Sequence, residues 1–260
     1  MRLDLYLAEN GFADSREKAK KLISAGLVTV NGTPVTKPSL DVGEEEVRLL
    51  ADPFRFVGRG GEKLEAALCL FEIDPAGMRT VDIGASTGGF TDCLLQHGAA
   101  FVTAIDVGCG QLHPKLVNDP RVRNLEKYNA RELAVKDIGS VDLAVMDVSF
   151  ISATYIIPRV PELLTENGLF ICLIKPQFEA GRAALNKQGV VKKQTDRIAA
   201  VLRVLQAAKA VGLTPAGLAP SPILGGDGNE EFLALFCKGN AEENREIPVE
   251  KVVYEKEVWR

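Results

Sequence analysis

Apolar positions along the 260-residue chain fall into two regimes. Up to about residue 50 they are short and interspersed. Leu3, Leu5 and Leu7 lie among polar residues, and Ser15 then opens a helical pattern in which Ala19, Leu22 and Ile23 share a face. Ser15 suits the N-cap, because its hydroxyl can accept from the unpaired amides of the first turn, and Gly26 ends the helix. The run VTVNGTPV reads as a strand, an Asn31–Gly32 turn and a second strand, the strongest short hairpin signal. These elements predict a small α+β domain over residues 1–50. Pro53, Gly58, Gly60 and Gly61 break the pattern and mark a linker over 51–61.

Beyond the linker, longer apolar runs alternate with helical stretches. A helix is predicted from Glu62 to Phe71, with Leu64, Ala67, Leu68 and Phe71 on one face. The strand-like runs are TVDIG, FVTAIDVG, VDLAVMDV and GLFICLIKP; the helical ones include FTDCLLQHG and DRIAAVLRVLQAAKAVG. Alternation of this kind predicts an α/β fold, a doubly wound parallel sheet with helices on both faces, over residues 62–240. EEFLALFC adds one more strand, and the charged segment 241–260, without helical caps, is expected to be peripheral.

Composition narrows the class. With 46% hydrophobic and 25% charged residues the chain can bury a core. No stretch approaches the ~18 consecutive apolar residues of a membrane span. The first residues, MRLDLYLAENG, carry early charges and no apolar secretion segment, so a cytoplasmic protein is expected. Cys69, Cys93, Cys109, Cys172 and Cys237 form no C-x-x-C pair, sit among apolar or small neighbours and read as buried, reduced thiols. His97 and His113 have no ligand spacing, so no metal site is expected. The net charge of −4 argues weakly against a nucleic-acid partner, yet Arg16, Lys18, Lys20 and Lys21 cluster against one Glu17.

The most specific local string is Val81-Asp82-Ile83-Gly84-Ala85-Ser86-Thr87-Gly88-Gly89-Phe90, a strand running through a glycine-rich turn into a helix. Ligands of open α/β sheets bind at the carboxyl ends of strands, beside such a turn. Asp106, 22 residues after Gly84 at the end of the next strand, can bind both hydroxyls of an adenosine ribose. A tight turn without ligand, a dinucleotide site and an S-adenosylmethionine site compete here. The order G-x-S-x-G-G departs from the dinucleotide G-x-G-x-x-G and favours the third. The string is similar to motif I of Rossmann-like methyltransferases of the FtsJ branch. That resemblance implies that Gly84, Ser86, Gly88, Gly89 and Phe90 line the methionine end of the cofactor, Asp106 holds its ribose, and Asp82 braces the turn.

Four charged residues fall where such a sheet would gather them. Lys63 begins the helix before the first strand of the sheet, Asp147 ends VDLAVMDV, Lys175 ends GLFICLIKP, and Glu231 opens the last strand. Methyl transfer to a ribose 2′-hydroxyl needs that oxygen to lose its proton as it attacks. A neutral lysine can take the proton, but a free lysine of pKa ~10.4 is almost wholly protonated at neutral pH. Desolvation and a second ammonium lower that pKa, whereas carboxylates raise it. Lys175 is expected to be the base, Lys63 to place the substrate or tune the base, and Asp147 and Glu231 to orient the amines.

The elements R-x-V-x-R-G-G-x-K-L (Arg55 to Leu64), D-V-S-F-I-S (Asp147 to Ser152), K-P-Q-F-E-x-G (Lys175 to Gly181) and G-N-x-E-F (Gly228 to Phe232) resemble the TlyA, or hemolysin A, family of ribosomal RNA methyltransferases over nearly the full length. The resemblance implies S-adenosylmethionine as cofactor, cytidine 2′-O-methylation in ribosomal RNA, and a catalytic tetrad of Lys63, Asp147, Lys175 and Glu231. Two positions depart from the family's habit: Gly58 stands where serine is usual, and Asp227 lies in a loop that is often basic. The first 50 residues resemble an S4 RNA-binding domain, through R-L-D-x-x-L, S-R-x-x-A-x-x-L-I and V-x-V-N-G. Arg2, Arg16, Lys18, Lys20, Lys21 and Lys37 are its candidate phosphate contacts, suited to folded RNA read by backbone and shape. Three rivals fit less well. A cytolysin would need a membrane-active segment, a base methyltransferase would need an N/D-P-P-Y loop or a cysteine nucleophile where D-V-S-F stands, and a non-catalytic assembly factor would leave four charges unexplained.

Overall fold

The computed structural model describes residues 1–13, 15–50, 55–226, 228–239 and 247–260. Its contacts divide the chain into two units, Met1–Arg55 and Phe56–Arg260.

In the first unit, helix α1 (Leu3–Glu9) buries Leu3 and Leu7, one turn apart, and α2 (Arg16–Ser24) buries Ala19, Leu22 and Ile23. Ser15 caps α2, its hydroxyl accepting from the Lys18 amide at 3.3 Å. Strands β1 (Val28–Val30) and β2 (Thr33–Val35) form the hairpin. Asn31 and Gly32 both take positive φ, 49° and 76°, as a tight turn matched to strand twist requires. A third strand, β3 (Val47–Leu49), pairs antiparallel with the free edge of β1 and completes the sheet.

The second unit is built on seven strands: β4 (Arg79–Ile83), β5 (Phe101–Ile105), β6 (Val122–Leu125), β7 (Val141–Met146), β8 (Leu164–Ile174), β9 (Leu213–Pro220) and β10 (Phe232–Lys238). Their order is β6-β5-β4-β7-β8-β10-β9. Alternation along the strands feeds two cores. Leu143, Val145, Ile171 and Leu173 face α3 (Gly60–Leu70) and α4 (Gly89–Gln96), whereas Ala144, Met146, Phe170 and Cys172 face the long helix Gln194–Ala210. Strands β4 to β8 pair parallel, but β10 runs antiparallel to both β8 and β9, a departure from the all-parallel expectation. The cause is connectivity: β9 reaches the sheet edge through a helix, and β10 returns from it directly. As a result the start of β10 lies at the carboxyl end of β8, with Phe232 opposite Ile174.

Three expectations need correction. The segment 241–260 is not peripheral along its described part: helix Val249–Glu255 buries Val249, Val252 and Val253, and Trp259 bridges to Leu218. The i, i+3, i+4 apolar spacing is there, hidden among Glu250, Lys251 and Glu255. The span 51–61 is no simple linker either. Residues 51–54 lie outside the described residues, but Phe56 is buried, the Val57 amide donates to buried Asp92, and Gly60 and Gly61 open α3. An ideal Cβ on Gly61 would meet the Phe56 ring at 2.2 Å, so this glycine permits close packing rather than a hinge. Finally, none of the five cysteines forms a disulfide among the described residues, but Cys69 and Cys109 are exposed rather than buried.

Candidate active site

The carboxyl ends of β4, β7 and β8 and the start of β10 meet around the turn Gly84–Gly88. Gly84 has φ +88° and passes so close to β7 that a Cβ would sit 2.6 Å from the Asp147 carbonyl oxygen. Gly88, at φ +95°, packs against Leu116, and a Cβ there would lie 2.2 Å from its Cδ1. Both positions therefore require glycine. Ser86 holds a left-handed φ of 49° without that excuse, local strain of the kind found at ligand sites.

Two cavities flank this turn. The larger, about 580 Å³, is lined by Gly84, Ser86, Asp106, Val107, Tyr128 and Ile156 among others. Its volume falls in the range of cofactor sites. The smaller, about 270 Å³, is lined by Gly60, Lys63, Ser86, Gly89, Phe90, Asp147, Lys175 and Glu231, with Arg59 and Gly226. Gly84, Ser86, Asp147 and Ser149 belong to both walls. Asp106 is held by two amides, Ser86 N and Gly108 N, each at 2.7 Å. Asp82 and Gly88 line neither cavity. Asp82 lies beneath the turn, fully buried, its Oδ2 accepting from the Thr91 amide (2.9 Å) and hydroxyl (2.7 Å). Its Oδ1 is buried without a partner among the described residues. Burial, opposed by the Thr91 bonds, pushes this carboxyl up to about 7.

The four charged residues surround the smaller cavity as two pairs. Lys63 Nζ donates to Glu231 Oε2 at 2.5 Å, with side-chain exposures of 10% and 2%. Lys175 Nζ lies 2.5 Å from Asp147 Oδ1 and donates to Ser149 Oγ at 2.8 Å. Glu231 reaches this place because β10 is antiparallel and starts at the ligand edge.

Residues 56–238 match the FtsJ-like methyltransferase family and residues 1–47 match the S4 domain. The chain belongs to the FtsJ-like methyltransferase family. It is 43% identical over 234 residues to the Mycobacterium tuberculosis "16S/23S rRNA (cytidine-2'-O)-methyltransferase TlyA", covering 89% of this chain and 87% of that one. The "Hemolysin A" of Brachyspira hyodysenteriae is 41% identical over 240 residues, covering 91% of this chain and 99% of that protein. A solved structure, "Putative hemolysin from Streptococcus thermophilus", shares 41% identity at a TM-score of 0.75, covering 98% of this chain and 95% of that one. No helix among the described residues is long and apolar enough to cross a membrane.

Around the four charged residues stand others that the sequence does not single out. Ser149 bonds Lys175, and Gln177 Nε2 donates to Glu231 Oε1 at 3.3 Å. Glu179, 2% exposed, accepts from Ser152 Oγ (2.5 Å) and the Ala153 amide (2.7 Å), which ties the strand-end loop after β7 to the one after β8. Burial pushes its carboxyl upward. Asn229 is buried and bonds Val191 N and Gly189 O, anchoring the loop before Glu231. These residues lie inside D-V-S-F-I-S, K-P-Q-F-E and G-N-x-E-F, the strings whose Asp147, Lys175 and Glu231 carry the charge pattern. Phe150, on the cavity rim, is 93% exposed at φ +65°, its ring 5.4 Å from that of Phe178. Gly58 faces Thr87, and an ideal Cβ there would lie 2.6 Å from the Thr87 hydroxyl, so the serine usual at this position would force a shift. Asp227 lies outside the described residues.

In the S4 unit, Arg2 and Arg16 both donate to Asp4, at 3.0 Å from each Nε. Asp4 is fully buried, yet the Arg2 hydrogen bond, joined by Arg16, outweighs burial and holds its carboxyl down at about 2. Lys20, Lys21 and Lys37 are exposed and Lys18 is half-buried; Lys21 stands 3.6 Å from Glu17.

Proposed function

We propose that this methyltransferase modifies the 2′-hydroxyl of a cytidine ribose in ribosomal RNA, with S-adenosylmethionine as methyl donor, in the cytosol. The observation that carries the reading is the tetrad cavity, which shares a wall with the larger cavity at Gly84, Ser86, Asp147 and Ser149. The substrate class follows from the S4 unit and from the activity named for the 43% identical TlyA protein.

The residues fit the cofactor. The turn brings bare backbone to the cavity at Gly84, and Asp82 keeps an unpartnered oxygen beneath that turn. Asp106 would hold the donor's ribose hydroxyls, and Gly84, Ser86, Gly89 and Phe90 would receive its methionine end. When bound, the donor supplies an electrophilic methyl group on a cationic sulfur.

The work of the chain's own residues is positional and protolytic. The 2′-hydroxyl enters the smaller cavity, and its proton passes to Lys175 Nζ as the oxygen attacks. Asp147 and Ser149 fix that nitrogen at the end of β8. Lys63, held by Glu231 on the wall of the same cavity, is placed to donate to the incoming ribose. Glu179 acts behind them, as the pin that keeps the Asp147 and Lys175 loops in register.

Mass-spectrometric mapping of 2′-O-methyl nucleotides in ribosomal RNA, from cells with and without the protein, tests the reading. One or more cytidine sites should vanish with the protein. An unchanged methylation map would overturn it.

A further inference from the structure

The charges lining the smaller cavity cancel except at one place. Lys63 is matched by Glu231 and Lys175 by Asp147, each at 2.5 Å. Arg59 lines the same cavity, is exposed, and makes no ion pair or hydrogen bond through its guanidinium among the described residues. The guanidinium lies beside Gly226, where an ideal Cβ would stand 3.9 Å from Nη2, so no side chain at that position shields it. Arg59 is also the N-cap of α3, a helix of 11 residues, and its side chain makes no capping bond. A cation at the positive end of a helix is locally unfavourable, because the helix dipole repels it. Glu62 in the same turn does not line the cavity. A locally disfavoured residue at the mouth of a site points to a ligand that compensates it, and a cation there selects an anion.

The substrate chemistry supplies one. A ribose internal to an RNA chain carries a phosphodiester on the 3′-oxygen next to its 2′-hydroxyl, and that anion enters with it. We infer that Arg59 binds the phosphodiester beside the target ribose through its planar, paired N–H donors, and thereby seats the 2′-hydroxyl at Lys175. Arginine presents the fork geometry that phosphate oxygens match, and lysine does not. This role rests on the proposed ribose methylation and adds the element that selects a polynucleotide over a free nucleoside.

The test compares full-length wild type, Arg59→Gln and Arg59→Lys on total ribosomal RNA from cells lacking the protein. Methyl incorporation is followed over a series of salt concentrations. For Arg59→Gln, kcat/KM should fall about tenfold, mainly through KM, and the slope of log kcat/KM against log salt should shrink by roughly 0.7–0.9, the share of one phosphate contact. Affinity for S-adenosylmethionine, measured by calorimetry, should stay within about twofold. Arg59→Lys should regain the salt slope but only part of the KM. An Arg59→Gln protein with wild-type slope and KM, or one whose loss follows weakened cofactor binding, overturns the inference alone. A wild type that methylates no ribose overturns the functional reading and this inference together.

Discussion

Asp4 and Asp82 are both fully buried carboxylates, one in each unit, and they titrate at opposite extremes: about 2 for Asp4 and about 7 for Asp82. Burial raises both. The difference is the company each keeps. Asp4 receives two guanidiniums, those of Arg2 and Arg16, whereas Asp82 receives only the amide and hydroxyl of Thr91 and leaves one oxygen without a partner. Asp4 is thus a finished ion cluster, whose use is to aim two half-exposed cations outward from a small scaffold. Asp82 is unfinished, a carboxyl beneath the glycine-rich turn with bonding capacity in reserve. The tetrad lies between these extremes. Each of its carboxylates has one lysine, so the charges are spent on each other until a substrate intervenes.

The sharpest way to separate charge that binds from charge that reacts is to remove one lysine of the tetrad. Lys175→Ala should lower kcat by ~10³-fold, within the span of general-base effects, with S-adenosylmethionine affinity changed only a few-fold. Lys63→Ala should cost less in kcat and more in KM, because its assigned work is to hold the ribose. Single-turnover methylation beside calorimetric cofactor binding reads both. A Lys63→Ala protein more damaged in kcat than Lys175→Ala would exchange the two roles.

The sequence made some of this legible and hid the rest for identifiable reasons. Asp147 and Lys175 each follow an apolar run, and a charge at the carboxyl end of a buried parallel strand points to the ligand edge of the sheet. Glu231 could be placed at the opening of the last strand, but periodicity cannot reveal that β10 runs antiparallel and begins where its neighbours end. Strands β6 and β9 escaped because VRNL is short and half polar, and LTPAGLAP carries two prolines and a glycine. The helix Val249–Glu255 is masked because its apolar spacing at Val249, Val252 and Val253 is interleaved with Glu250, Lys251 and Glu255. Arg59 and Glu179 could not be graded from sequence at all. Their importance lies in what they touch or fail to touch, and that is fixed only when distant segments meet.

Asp82 gives the next largest effect, read as stability against pH. Its folded pKa stands above the unfolded value of ~3.9, so the folded state holds the proton more tightly. The contribution therefore favours folding below pH ~4 and is lost as pH rises to about 7 and beyond. Denaturant titrations of wild type and Asp82→Asn, without cofactor, should show the ratio of their unfolding constants changing about tenfold between pH 6 and 8, with wild type losing ground. A ratio constant across that range would mean that Asp82 does not titrate there. The comparison with Asp4 would then fail at its buried, unpaired end.

Asp4→Asn probes the other end, with the smallest effect on function. Here the folded carboxyl is depressed, so its contribution is present above pH ~4 and disappears as pH falls toward about 2. In the variant, acid titration of the first unit should lose the step between those values. At neutral pH, Arg2 and Arg16 keep their charge but lose the anion that orients them, so the field toward RNA survives while its geometry loosens. RNA affinity should then drop by only about threefold, with a salt slope close to wild type, because the number of phosphate contacts is unchanged. Arg16→Gln should instead lower the slope itself by roughly 0.7–0.9. If Asp4→Asn bound RNA more tightly, Asp4 would be acting as a competitor for its two arginines rather than as their mount.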